Sequence, residues 1–492
     1  MDVSPDNSGT VKVNGSATTS YPSVYSIALY STVTLEAMPA FGYTFSNWSG
    51  EVTGTTNPTS LYVGCDKTVT ANFIPKISKL YFPHVATNSP WQTEIAIINT
   101  SDQTVTGTLR GLSNTGQLMK TKAVSLSARG RRQITVADEF TNHTNIGYII
   151  FDADSDTVQG YTKFYQEGKY RAAIPAVKEV STSDIYIPYI ASNADWWTGI
   201  SLVNTTSEPK QLIITFDNGE SRSITLNANE HKEFDIASLF NNQPQPGIRS
   251  ADVTNASGII GLEIFGSTDD KQLDGILLTD KTASTIYYPH LVSDNIWWTG
   301  IVAYNPSASA CSITITPYSA QGTPLTPLTP PPIAGKGKYI DAVANLGLPA
   351  ETAWFKIDST RPITGFELFG STDGNQLAAY AGGGGTGAKS GVFPKIEKDG
   401  WTGIAFVNTE DNPASVTLTA YKDNGTTVAT QVLPVGGHAK VVKPAEDIFF
   451  SQDISSATYI AYSSNRNVVG VQLNASSDDM MLDGLPGLAG TN

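Results

Sequence analysis

The sequence predicts an all-β protein, a small β module followed by four tandem β-sandwiches. Three observations predict it. Two sequence anchors recur four times with one period. Turn signals cut each period into short β-branched and aromatic runs. Polarity comes from Thr, Ser, Asn and 43 Gly rather than charge, since 15% of residues are charged against about 25% in a typical globular chain. Thr favours strands, and Gly and Asn favour tight turns.

The first anchor is an apolar-Pro step, followed by Trp and a strand ending in Asn. The Pro steps are Tyr81-Phe82-Pro83-His84, Tyr186-Ile187-Pro188-Tyr189, Tyr287-Tyr288-Pro289-His290 and Val392-Phe393-Pro394-Lys395. The strands run from Trp91 to Asn99, Trp197 to Asn204, Trp298 to Asn305 and Trp401 to Asn408, with a shared Thr at 93, 198, 299 and 402. The second anchor is a Gly at 160, 261, 365 and 470, inside an apolar run. Two anchors keeping one period identify a tandem array.

Within a repeat, Asp217-Asn218-Gly219 and Asp423-Asn424-Gly425 follow strand-like runs and supply the positive φ that hairpins need. About seven or eight short strands per repeat suit two sheets packed face to face. A β-propeller, with two blades per repeat, is the alternative. The predicted units are 1–76, 79–178, 184–281, 285–381 and 391–490. Residues 236–240 and 342–346 are expected to form single helical turns. Gly382 to Gly385 reads as a flexible linker, and Pro324 to Pro332 as a stiff loop.

In the first unit, Val33, Leu35 and Ala37 alternate as a half-buried strand, and Tyr43, Phe45 and Trp48 supply a small core. Gly42-Tyr43-Thr44-Phe45, Trp48-Ser49-Gly50 and Val69-Thr70-Ala71-Asn72-Phe73 occur in order. This segment resembles the divergent internalin-B-type repeat of bacterial surface proteins over about residues 8–75. The resemblance implies a β-grasp-like module in an exported, multi-domain protein, with no catalytic residues. Residues 80–488, with Trp197-Thr198-Gly199-Ile200 and Gly261-Leu262-Glu263-Ile264-Phe265-Gly266, resemble Ig-like modules that recur in bacterial surface proteins.

The net charge of −14 repels phosphate, so nucleic acid is not an expected partner. No apolar run is long enough to span a membrane, and no membrane insertion is expected. Met1-Asp2-Val3-Ser4-Pro5 lacks the basic start and apolar stretch of a signal peptide, so the expectation is a fragment of a longer secreted protein, extracellular or on the cell surface. Cys65 and Cys311 fall in different units, and no disulfide between them is expected.

Trp196-Trp197 and Trp297-Trp298 are adjacent pairs at strand starts, so the two side chains should face opposite ways. One is expected to pack the sandwich and its neighbour to cover an edge or the next unit. The competing reading is a glycan platform made by Trp196, Trp197, Trp297 and Trp298. Asp152, Asp154 and Asp156 alternate like a calcium loop but lack its Gly and its late Glu. They read as a polar hairpin turn, with calcium as the one candidate ion.

Glu263 and Glu367 are expected to face solvent, with Lys163 and Gln472 at the equivalent places. Arg129-Gly130-Arg131-Arg132, aligned with Lys232, Lys338 and Lys440, reads as a solvated turn. The five histidines show no metal-ligand spacing, so zinc is not expected. No nucleophile elbow or triad can be assembled.

The expected function is therefore a non-catalytic surface protein for adhesion or structural scaffolding, built as a rod or as modules packed side by side. It would meet a glycan or protein ligand, or associate with itself. The alternatives are a carbohydrate-binding region and an accessory region of a secreted hydrolase.

Overall fold

Alternating apolar residues build paired antiparallel sheets, as the periodicity predicts. The computed structural model describes residues 1–18, 20–450 and 452–490. In the first repeat, one sheet orders its strands Leu118–Leu126, Val105–Leu112, Tyr148–Ala153, Ser78–Phe82; the other orders them Arg131–Thr135, Gln92–Asn99, Val158–Gln166, Tyr170–Pro175. The second repeat has the same two four-stranded sheets. In the third and fourth, the long strands Thr352–Ser371 and Tyr459–Ser476 pass from one sheet into the other. Each sandwich closes over its own core: Phe82, Ile95, Leu109 and Phe151 in the first, and Phe393, Ile404, Leu418 and Ile460 in the fourth. Among the described residues no propeller forms.

The sequence anchors prove structural. The shared Asn is buried in all four repeats, and its amide nitrogen donates to two loop carbonyls, such as Gln103 and Ser127 from Asn99, or Asn412 and Gly436 from Asn408. The shared Thr hydroxyl ties the loop after the Pro step to the strand, as Thr93 does with Ala86 and Thr198 with Ala191. The shared Gly is needed for close approach. A Cβ at Gly160 would lie 2.4 Å from the Ala96 carbonyl oxygen, and one at Gly365 2.2 Å from that of Val302.

The four sandwiches do not form a rod. The strands Tyr170–Pro175, Leu273–Leu277, Leu377–Ala381 and Leu482–Pro486 each flank their own sheet and pack cyclically against one another, first to second, second to third, third to fourth and fourth to first. The second and fourth carry Asp274-Gly275 and Asp483-Gly484 where the first and third carry Ala172-Ala173 and Ala378-Ala379. Hairpin turns lock the ring from outside. The Asn114 carbonyl accepts from the His231 amide at 2.9 Å, that of Ala320 from Lys440 at 2.9 Å, and that of Asp423 from Arg131 at 2.8 Å. The Asn-Gly turn of the fourth repeat thus docks on the first. A closed ring of sandwiches replaces the rod expectation.

Gly382 to Gly385 is not a free linker, since Gly383–Gly384 pairs with Tyr287 and Ile286. The Pro-rich stretch runs along the edge of Ile313–Ser319, where Leu328 bridges Ile315 and Pro324 bridges Tyr318. The expected helical turns appear at Ala237–Phe240 and Val343–Asn345. Ahead of the ring, Asp2–Ser4 pairs in parallel with Val69–Pro75. Trp48 is buried against Phe45, Val11, Val33 and Leu35, so the expected aromatic core forms. No helix among the described residues is long and apolar enough to cross a membrane.

Candidate functional site

Chemistry-bearing residues collect in the four seams between neighbouring sandwiches. The seams explain the tryptophans. Trp91 and Trp197 meet in the first seam against Tyr170, Ala172 and Leu273. Trp196 and Trp298 meet in the second against Phe265 and Phe366, and Trp297 and Trp401 in the third against Phe369 and Leu473. The second and third repeats each give the first Trp of the pair to the following seam and the second to the preceding one. Gln92 and Gly400 replace Trp at the two places that would meet in the fourth seam. Neither Trp of a pair enters a sandwich core, as one was expected to do. All four pair members are half-buried, and the rings of Trp197 and Trp298 lie against Gly266 and Gly370.

In place of aromatic packing, the fourth seam holds a buried polar network. Arg131 bonds Asp423 at 3.1 Å and the Tyr161 hydroxyl at 2.9 Å, and that hydroxyl donates to Glu94 at 2.9 Å. Glu94 pairs with Lys163 at 3.0 Å. Beside them, Lys395 pairs with Glu397 at 2.8 Å, Glu397 with Arg171 at 3.0 Å, and Arg171 with Asp483. Burial pushes Lys395 down to about 8, aided by the Lys163 charge. Burial would raise Glu397, but Lys395 and Arg171 outweigh it and hold it at about 2. Every charge here meets an opposite one; Asp483, Lys395 and Arg171 are closed to solvent, at 0%, 4% and 5% exposed, whereas Asp423 sits at the exposed rim.

Two sequence alignments need correction. Arg131 registers with His231, Lys338 and Lys440, not with Lys232, because each of these pairs with the residue before the strand-ending Asn. Arg131 and His231 are buried rather than solvated. Thr162, not Lys163, sits where Glu263, Glu367 and Gln472 sit, since Thr162 pairs with Ile95 as Glu263 pairs with Ile200.

Glu263 and Glu367 also do not face solvent. Both are 0% exposed, and their carboxylate oxygens lack hydrogen-bond partners among the described residues. Burial holds both well above the usual carboxylate range, against the charge of Lys338 at Glu263 and against the nearby Tyr380 hydroxyl and the charge of Lys440 at Glu367. Both lysines are pushed down to about 8, chiefly by burial. An acid raised in the folded state stabilises below its unfolded value of about 4.5, and that stability is lost as pH rises through the folded value. Glu263→Gln is therefore expected to leave stability near pH 4 unchanged and to raise it at pH 8 by about 1–3 kcal/mol. Urea midpoints across that range check it. A less stable variant at pH 8 would show that the charge on Lys338 outweighs the burial of Glu263.

Asp152, Asp154 and Asp156 do not converge. Asp152 pairs with Arg110 at 2.7 Å, Asp154 accepts from the amide and hydroxyl of Thr106, and Asp156 pairs with Lys76 of the N-terminal module at 2.6 Å. Their alternation along and just beyond the strand Tyr148–Ala153 separates them, so the calcium reading finds no assembled ligand set in this turn.

The first seam opens into a cleft of about 400 Å³ lined by His84, Trp91, Phe164, Trp197, Ser201 and Glu233, among others. His84 and His231, 147 positions apart, approach to 3.3 Å between Nδ1 and Nε2. Glu233 Oε2 lies 3.4 Å from His84 Nδ1. Burial pushes His84 down to about 4 and His231 well below the usual imidazole range, so both rings are neutral at pH 7. Sequence spacing missed this cluster because the ring joins two repeats. The replacement of Lys338 and Lys440 by His231 at one register position was the available signal.

Residues 2–77 match the family described as "Divergent InlB B-repeat domain". No curated protein matches the chain. Among solved structures, that of Thermotoga maritima 1070 is 18% identical, with 21% of this chain and 98% of that one covered and a TM-score of 0.19. A tetra-tandem repeat in the extending region of a large adhesion protein is 12% identical, covering 85% and 100% with a TM-score of 0.12. A Bacteroides ovatus mixed-linkage glucan utilization locus protein, SGBP-B, bound to a heptasaccharide, is 10% identical, covering 73% and 91% with a TM-score of 0.11. Residues 2–77 thus match a divergent InlB B-repeat domain, and tandem β-sandwich modules follow them.

Proposed function

We propose that this chain is a non-catalytic extracellular bacterial surface protein that serves as an adhesion or structural scaffold. One observation carries the reading. The ionisable and aromatic residues that a catalytic site would need are engaged in the seams, where they hold four sandwiches in a ring. The N-terminal repeat module supports a surface role. A ring presents its outward loops at fixed spacing, which suits a rigid platform for display.

The glycan reading keeps one support, because Trp91 and Trp197 line the first-seam cleft, where a sugar ring would stack on an aromatic face. The experiment is a glycan array with the full chain, run in calcium and again in chelator, beside adhesion of chain-coated beads to bacterial and host-cell surfaces. The scaffold reading expects bead adhesion or self-association and no glycan signal. A glycan signal at least tenfold weaker in Trp197→Ala would favour carbohydrate binding in the cleft instead. Turnover of any array glycan would overturn the non-catalytic reading.

A further inference from the structure

We propose that His84, His231 and Glu233 bind a divalent transition metal ion of the zinc class across the seam between the first and second sandwiches. Zinc–nitrogen and zinc–oxygen bonds of about 2.0–2.2 Å in a tetrahedron place ligand atoms about 3.3–3.5 Å apart. The observed separations are 3.3 Å between the two imidazoles and 3.4 Å between His84 and Glu233, and all three ligand atoms lie within 4.8 Å of one another.

The shell around the ligands fits as well. The Asn114 carboxamide oxygen, 2.9 Å from His231 Nδ1, accepts that proton and leaves Nε2 as the free donor atom aimed at His84. The Ser201 hydroxyl is 2.9 Å from Nε2 and 3.1 Å from the Pro83 carbonyl, so it can turn to the carbonyl when Nε2 takes a metal. A fourth ligand position would face the cleft.

At the position of His231, the other seams place Lys338, Lys440 and Arg131, each bringing a cation into the buried contact. Two residues further along the same strands, Ile340, Val442 and Gln133 stand where the first seam has Glu233. The first seam alone replaces the cation by imidazole and adds a carboxylate; the imidazole opposite, His84, has its counterpart in the third seam, where His290 lies 3.1 Å from Lys440. A bound divalent ion restores the positive charge that the other seams carry in a side chain.

The test uses the full chain, stripped with chelator and titrated with Zn²⁺ by calorimetry and with Co²⁺ by visible absorption. The expected result is one ion per chain and a tetrahedral Co²⁺ spectrum. Affinity should fall about 100-fold or more in His231→Gln and His84→Gln, and His290→Gln in the third seam should leave it unchanged. Glu233→Gln, at a side chain 58% exposed, should weaken binding without disturbing the fold, and it decides the matter if circular dichroism shows the histidine variants unfolded. No binding at micromolar Zn²⁺, or binding that survives both Glu233→Gln and the folded histidine variants, would overturn the proposal.

Discussion

Replacing Arg171 by Ala is expected to destabilise the ring by about 3–5 kcal/mol, because it strands the buried Asp483 carboxylate in the seam that closes it. Arg171 reaches from the first sandwich to Glu397 at 3.0 Å and to Asp483, both of the fourth, and the three side chains are 6%, 12% and 0% exposed. Without the guanidinium, Asp483 keeps, among the described residues, only the hydrogen bond from the Asn474 amide at 2.7 Å, and Asp274 is also buried. Removing one partner of a buried ion pair costs more than the pair contributes, since the remaining charge still lacks water. Several sandwiches need not unfold in one step, so the informative measurement is hydrogen exchange at Tyr170–Pro175 and Leu482–Pro486. Protection there should fall before the cores open. A loss below about 1 kcal/mol would mean that water reaches the seam and screens the charges.

Trp354→Ala should cost a similar amount, about 3–5 kcal/mol, by emptying the apolar part of the third seam. The ring is fully buried, stacks on Tyr318 at 4.4 Å with planes 7° apart, and donates from Nε1 to the His438 carbonyl of the fourth sandwich at 2.9 Å. Val407 and Val469 close the far side. Trp354→Phe separates the two contributions, since it keeps much of the apolar contact and loses the hydrogen bond. It should cost about 1–3 kcal/mol. The denaturant midpoint of the transition reported by the third and fourth sandwiches reads both effects. Equal losses in the two variants would assign the stabilisation to the hydrogen bond alone.

Tandem sheets, turn positions and the aromatic core of the first module were legible in the sequence because they rest on local rules. The Asn-Gly turns and the alternation Val33, Leu35, Ala37 carry their own geometry. The buried Glu263 and Glu367 were not legible. In an isolated sandwich that strand position would face water, and only the neighbouring sandwich covers it. The same cause hid the His84–His231 contact, whose members belong to different repeats.

The sequence alone determined the repeat, its period, its sandwich class and the module that precedes it, because backbone pairing and side-chain alternation act within about 100 residues. Only the tertiary structure decided that the repeats close on themselves. Closure depends on surface complementarity between distant copies, and sequence periodicity is the same for a straight array and a ring. It also decided the meaning of the exceptions. Gln92, Gly400 and His231 look like drift within a repeat, yet each stands at a seam whose chemistry differs from the others because of it.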